Sequence, residues 1–307
     1  MKKKTKTNIV AGVASFFSIL VILFLVDILK GENKLNALKQ DIIYDYYDEE
    51  NLQKVLKDRL GDAYEDDLQT DFDNFTISLV LEELAKFEIN KNKEFNSFLD
   101  KEWLQGYNEE NKNLAEEIAG KPIDKSTYYL KLTTFQEGGT YKELTSLIQE
   151  FSKYDNLIID LRDNTGGSFK ELEKVLTMFM KKDTLLFQLK TRDDTEKYYS
   201  NNKSPVTFQN IVVLTNNRTA SSSELLIVSL KENLEHVTQI GTHTYGKNIG
   251  LSIRTFNDES GMVFISSVME GPNSKKLDEN GLAPDIEVMD KAKQLETAID
   301  FLASQKQ

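Results

Sequence analysis

Three serines in a row, Ser221-Ser222-Ser223, follow a short apolar run, Ile211 to Thr215, and a polar turn, Asn216 to Ala220. Beyond them Glu224-Leu225-Leu226-Ile227-Val228 reads as the opening of a helix. A strand that passes a small hydroxyl residue through a tight turn to a helix N-terminus is a common way to present a nucleophile. One small structural unit later comes Gly241-Thr242-His243-Thr244-Tyr245-Gly246-Lys247, and a lysine on such a loop is a potential base. Taken singly, each half has a plainer reading. Serines at a helix start act as N-caps, and a lone lysine is ordinarily a solvated surface charge.

A second loop has chemical potential. Asp160-Leu161-Arg162-Asp163-Asn164-Thr165-Gly166-Gly167 ends in paired glycines just before a helix start. Glycines let backbone N–H groups point inward at unusual φ/ψ and let a substrate come close. That suits an oxyanion hole or a phosphate cradle. The phosphate-binding patterns Gly-x-x-x-x-Gly-Lys and Gly-x-Gly-x-x-Gly are both missing.

The elements that must position these loops alternate in period from about residue 125 onward. Tyr128–Leu132, Leu157–Leu161, Leu185–Leu189 and Ile211–Leu214 read as strands, the second a continuous apolar run of the kind found in buried parallel strands. Thr140-x-x-Glu143 and Ser168-x-x-Glu171 are capping-box patterns that open helices. Alternating βαβ units predict an α/β fold with a largely parallel sheet covered by helices, its ligand loops at the C-terminal strand ends. Residues 250–288 are strand-rich, with turns at Asn257-Asp258-Glu259, Gly271-Pro272 and Asn280-Gly281.

Ile9 to Val26 is uncharged throughout and is preceded by Lys2, Lys3, Lys4 and Lys6. A helix over the 18 residues 9–26, or the 21 residues 9–29, spans roughly 27–31 Å, enough for a hydrocarbon core. The basic flank predicts residues 1–8 in the cytoplasm and the body outside, a single-pass signal anchor in the cell membrane. A cleaved signal peptide is the rival, but no small-x-small site follows the run. Residues 30–124 are acidic, with Leu52, Val55, Leu56, Leu60 and then Ile77, Val80, Leu81, Leu84, Phe87 at helical spacing. Phe95, Phe98, Leu99, Trp103 and Leu104 suggest a further amphipathic turn, and Gly120-Lys121-Pro122 marks the boundary. This mainly helical region packs its own stripes or offers a groove to a partner protein or substrate.

The chain of 307 residues carries a formal charge of −12. Setting aside the four N-terminal lysines leaves 34 of the 38 Lys+Arg against 50 Asp+Glu, which argues against nucleic-acid binding. There is no cysteine, which excludes disulfides, thiolate zinc and a cysteine nucleophile. The two histidines, His236 and His243, leave little material for a metal site or a histidine triad, and neither is assigned a role. No metal or cofactor is expected.

Four motifs in order across about 125–290 resemble the C-terminal processing peptidases, the S41 family of serine proteases. Asp160 to Gly167 matches Asp-Leu-Arg-x-Asn-x-Gly-Gly, and Thr219 to Glu224 matches Ser-Ala-Ser-x-Ser-Glu. Gly241 to Lys247 matches Gly-x-x-Thr-Phe-Gly-Lys with Tyr245 for Phe, and Gly281-Leu282-Ala283-Pro284-Asp285 matches Gly-Val-x-Pro-Asp. The resemblance implies a crotonase- or ClpP-like α/β core over residues 125–307. It puts the nucleophile on Ser221, the general base on Lys247, and the oxyanion donors on the backbone N–H groups of Gly167 and Ser222. Polypeptides or protein C-terminal tails would be the substrates.

There are two departures. The glutamine that often follows the family lysine by four residues is Leu251 here, and residues 31–124 hold no PDZ signature. A lysine base must be neutral near pH 7, so its pKa must fall from ~10.4 to about 7–8, a cost of roughly 4 kcal/mol. Burial near Tyr245, Ile249 and Leu251 is the expected source. Leu251 motivates a second reading, a catalytically weak peptide-binding or scaffold relative. A third is a small-ligand carrier on the same core.

Overall fold

A computed structural model describes residues 46–60, 95–106, 118–256 and 259–305. The predicted membrane anchor and much of the 30–124 region lie outside the described residues. No described helix is long and apolar enough to cross a membrane.

The chain folds as two compact units, and β9 (Ile249–Thr255) and β10 (Gly261–Glu270) each contribute residues to both. The first unit takes its described residues from 46–60, 95–106 and 251–265. It holds α1 (Glu49–Leu60), with Leu52 and Val55 buried as the helical spacing predicts. Ser97–Leu99, read from the sequence as part of an amphipathic turn, instead forms strand β1, antiparallel to Gly261–Val263. Asn96 explains the switch: its buried Oδ1 accepts from Ile265 N–H at 2.9 Å, drawing the segment alongside β10.

The second unit is built on a six-stranded sheet. Its strands are β2 (Ala119–Pro122), β3 (Thr127–Lys131), β4 (Asn156–Asp160), β7 (Asn210–Thr215), β8 (Val237–Gly241) and β11 (Ile286–Glu287). Their order is β11-β8-β7-β4-β3-β2, parallel throughout except for β2. Gly120-Lys121-Pro122, read as a boundary, is thus an edge strand of this sheet. All five residues of β4 are buried because both faces are covered. Leu157, Ile159, Ile211 and Val213 face one core, and Ile158, Val212, Leu214 and Ile240 face another that includes Ala298 and Leu302 of α5 (Lys291–Ser304). Two-sided burial is what turns an alternating strand into a continuous apolar run.

The first core also takes α2 (Thr140–Phe151), α3 (Phe169–Thr177) and α4 (Ser222–Asn233). The second predicted capping box is half formed: Ser168 Oγ accepts from Glu171 N–H, but the Glu171 carboxylate reaches across to Gly138 and Tyr141 N–H instead. The first is displaced. Thr140 is the first helical residue rather than the cap, and its hydroxyl bonds Thr134 O and Gln136 N–H.

The strand β5 (Leu185–Lys190) also departs from the simple βαβ expectation. It pairs antiparallel with β6 (Thr195–Tyr199) and with Val268–Glu270, outside the parallel sheet.

Candidate active site

The C-terminal ends of β4 and β7 are adjacent, as the register of their pairing requires. From β7 the chain turns sharply. Asn216 N–H donates to Thr219 Oγ1 at 3.0 Å, Thr219 N–H returns to Asn216 O at 2.9 Å, and the Thr219 hydroxyl reaches Leu161 O at 2.9 Å. The turn delivers Ser221 at φ 59°, ψ −121°, an unusual backbone conformation for a residue with a side chain, directly before α4. Such a conformation costs about 1–3 kcal/mol and persists only when neighbouring contacts enforce it. Ser221 is 7% exposed, and its N–H donates to the side chain of Glu224, the third residue of α4.

The glycine loop lies against this turn. A Cβ on Gly166 would stand 2.8 Å from Ser221 Cβ and 3.0 Å from Ser222 N, so only glycine fits there. Asn164, fully buried, organises the loop. Its side chain donates to Leu132 O and accepts from Gly166 N–H, and its carbonyl accepts from Ala220 N–H and the Ser223 hydroxyl. Ser222 Oγ donates to Gly167 O at 2.8 Å. Among the described residues, the N–H groups of Gly167 and Ser222 donate to no protein acceptor.

Lys247 arrives on a loop tied to the same turn. Thr242 N–H bonds Thr215 O and Tyr245 N–H bonds Thr219 O at 2.9 Å. The decisive tie is Glu224, a buried carboxylate three residues after Ser221. One of its oxygens accepts from Ser221 N–H (2.8 Å) and Lys247 N–H (2.9 Å). The other accepts from Gly246 N–H (2.8 Å) and the Thr244 hydroxyl (2.5 Å). Thr244 Oγ1 in turn accepts from Leu282 N–H at 2.7 Å, which forces its proton toward Glu224. Burial pushes the Glu224 carboxyl above its usual range, and these four donors oppose that shift. A proton on either oxygen would meet a donor, so the hydrogen bonds are built around the ionised form.

Burial pushes the Lys247 ammonium below the usual lysine range, and the Glu224 charge pulls it back up. Ile249 is buried, whereas Tyr245 is 41% exposed and Leu251 sits half-buried on β9. Both histidines are exposed.

The fourth motif closes on the third. A Cβ on Gly281, at φ 87°, would stand 2.1 Å from Thr244 O, so the close approach of the two segments requires glycine. Asp285 accepts from Gln239 N–H and from Lys231 Nζ at the far end of α4. Beneath the glycine loop, Asp160 is wholly occupied: it accepts from Tyr129 OH at 2.7 Å and holds Arg162 through both oxygens. Arg162 Nη1 also donates to Lys291 O at the start of α5.

The turn, the glycine pair and the lysine loop therefore converge within one unit of the fold, and comparison with known proteins identifies what they belong to. Residues 126–288, more than half of the chain, match the model of peptidase family S41. The chain belongs to peptidase family S41. Among curated relatives, the carboxyl-terminal-processing protease of Synechocystis is 28% identical over 163 residues, covering 52% of this chain and 38% of its own length. The chloroplastic carboxyl-terminal-processing peptidase 1 of Arabidopsis thaliana is 31% identical over 129 residues, covering 42% and 26%. The match thus spans about a third of the length of these relatives. Among solved structures, a lipoprotein from Streptococcus agalactiae shares the fold at TM-score 0.67 and 16% identity over 91% of this chain and 96% of its own. A Bacteroides fragilis protein described as an S41 protease aligns at TM-score 0.55 and 20% identity over 62% and 58%.

Spacing and resemblance assign no role to Glu224, Asn164 or Thr244, although each falls in a matched S41 motif. The Ser221-x-x-Glu224 spacing was the available signal, because it matches a capping box.

Proposed function

We propose that the protein is a serine endopeptidase of the S41 type that cleaves polypeptides or protein C-terminal tails, with Ser221 as nucleophile and Lys247 as general base. The observation that carries this reading is the shared Glu224 oxygen, which couples the backbone of the nucleophile to that of the base. Neutral Lys247 takes the Ser221 proton as Oγ attacks the peptide carbonyl carbon. The C–N bond breaks as the tetrahedral intermediate collapses, and the lysine ammonium returns the proton to the leaving amine. Water then hydrolyses the acyl-enzyme by the same steps in reverse. The unpartnered N–H groups of Gly167 and Ser222 support their assignment to the oxyanion, where one donor is typically worth about 3–4 kcal/mol. The lowered Lys247 pKa supports the neutral base.

A fluorophosphonate probe tests this assignment. Wild type is expected to label at Ser221, and Ser221→Ala is expected not to. No labelling of wild type, or equal labelling of the variant, sinks it.

A second reading, a catalytically weak scaffold or peptide-binding relative, is favoured by Leu251 in place of the glutamine. In the active reading, Glu224 holds the lysine loop instead, through the N–H groups of Gly246 and Lys247.

Residues 9–29 anchor the protein in the cell membrane, with residues 1–8 cytoplasmic and the catalytic unit outside. Within residues 30–124, those before β2 lie between the anchor and the catalytic sheet and are available to a partner protein. Protease digestion of intact cells tests the topology: the catalytic unit is expected to be cut from outside, and protection of it until lysis would reverse the assignment.

A further inference from the structure

The two oxyanion donors sit on different elements, Gly167 on the loop after β4 and Ser222 at the first position of α4. To hold one oxygen atom, both N–H groups must stay about 2.7–3.1 Å from a single point. The loop is poorly suited to this by itself. Gly166 and Gly167, at φ 101° and 143°, lack the Cβ atoms that would restrict their rotation. The Gly166 carbonyl is held by Phe135 N–H at 3.0 Å and the Thr134 hydroxyl at 3.3 Å. Ser168 N–H is held by Phe135 O at 2.8 Å. These bonds dock the loop on the segment after β3, not on α4. Asn164 holds Gly166 N–H and reaches the turn and α4 through its carbonyl, but none of these bonds reaches Gly167.

Ser222 supplies the missing connection. Its hydroxyl donates to the carbonyl of Gly167 at 2.8 Å, and the Ser222 side chain is fully buried. We infer that the Ser222 side chain is a positioning group that latches Gly167 to α4 and sets the spacing of the two oxyanion donors. The two residues that offer N–H groups to the substrate are thus bonded to each other through their remaining polar groups. Ser222 falls at the open position of the Ser-Ala-Ser-x-Ser-Glu block, so the sequence resemblance attaches no role to its hydroxyl. The inference rests on the proposed peptidase reading.

The test compares the full chain with Ser222→Ala, Ser222→Thr and Ser221→Ala by the rate of fluorophosphonate labelling as a function of pH. Ser222→Ala keeps its backbone N–H and is expected to lower the plateau rate about tenfold, with the midpoint of the pH profile unmoved. An unmoved midpoint separates this role from general loosening, because water admitted to the site would return Lys247 toward the ordinary lysine range. Glu224 is the charged side chain acting on Lys247, and it is untouched by the substitution. Ser222→Thr, which keeps the hydroxyl, is expected to recover most of the rate; a folded Thr variant as slow as Ala overturns the latch. A Ser222→Ala plateau equal to wild type, or a fall accompanied by an upward midpoint shift, also overturns it while Ser221→Ala remains inert. Absence of labelling in wild type instead removes the peptidase reading, and the latch with it.

Discussion

Ser221 and Lys247 donate their backbone N–H groups to the same oxygen of Glu224, at 2.8 and 2.9 Å. The other oxygen takes Gly246 N–H and the Thr244 hydroxyl. An amide is therefore a poor replacement. In either orientation, Glu224→Gln sets its NH2 group against two donors. The variant is expected to lose about 1–3 kcal/mol of stability, from the penalty for buried unsatisfied donors. Labelling at Ser221 is expected to slow at least tenfold. Thermal unfolding and probe labelling measure the two effects, and an unchanged variant would mean the carboxylate is not what couples the loops.

The pH–rate profile follows from the direction of the Lys247 shift. Below its folded pKa the amine is protonated and cannot accept the Ser221 proton, so the rate rises about tenfold per pH unit. Above that pKa the rate flattens. Burial lowers the pKa, so the midpoint is expected below the ~10.4 of a free lysine. Lys247→Arg keeps a charge that is not given up in this range and is expected to label at under about 1% of the wild-type rate. A midpoint at or above the free-lysine value would contradict the burial described for this residue.

Gly166→Ala tests the contact between the glycine loop and Ser221. The added Cβ meets Ser221 Cβ at 2.8 Å and Ala220 O at 2.9 Å, at a φ of 101° that disfavours any side chain. A loss of about 1–3 kcal/mol is expected from backbone strain alone. Labelling is expected to fall to background even where the chain remains folded by circular dichroism. Retained labelling would show that the loop can withdraw from Ser221.

Asp160→Asn addresses a carboxylate the sequence placed in a chemical loop but the fold uses as a brace. Its partner Arg162 is only 14% exposed and loses half of a bidentate contact. Breaking such a pair from one side is expected to cost about 3–5 kcal/mol. Denaturant titration gives the loss, and the labelling rate per folded molecule should change far less than in Glu224→Gln.

The parallel sheet was legible because β4 and β7 are buried on both faces, which leaves a continuous apolar run in the sequence. An equally apolar run at β5 gave no hint that it belongs with β6 and β10, since hydropathy reports burial and not partners. β6 escaped notice because its residues are mostly exposed or half-exposed and follow no clean alternation. At the site, Ser221, the glycines and Lys247 could be named from spacing and resemblance. Glu224 could not be assigned its role, because its four donors come from two loops and only one of them lies within three residues. The same holds for Thr140, whose hydroxyl is diverted from capping by Thr134 and Gln136.

The bonds from Leu282 N–H to Thr244 and from Arg162 to Lys291 O tie both loops to residues that follow them in the chain. A chain cut after Lys247 would keep Ser221, Gly167 and Lys247 yet lose the groups that orient Thr244 and anchor Arg162. Truncation there would loosen the site without removing any of its candidate reactive groups.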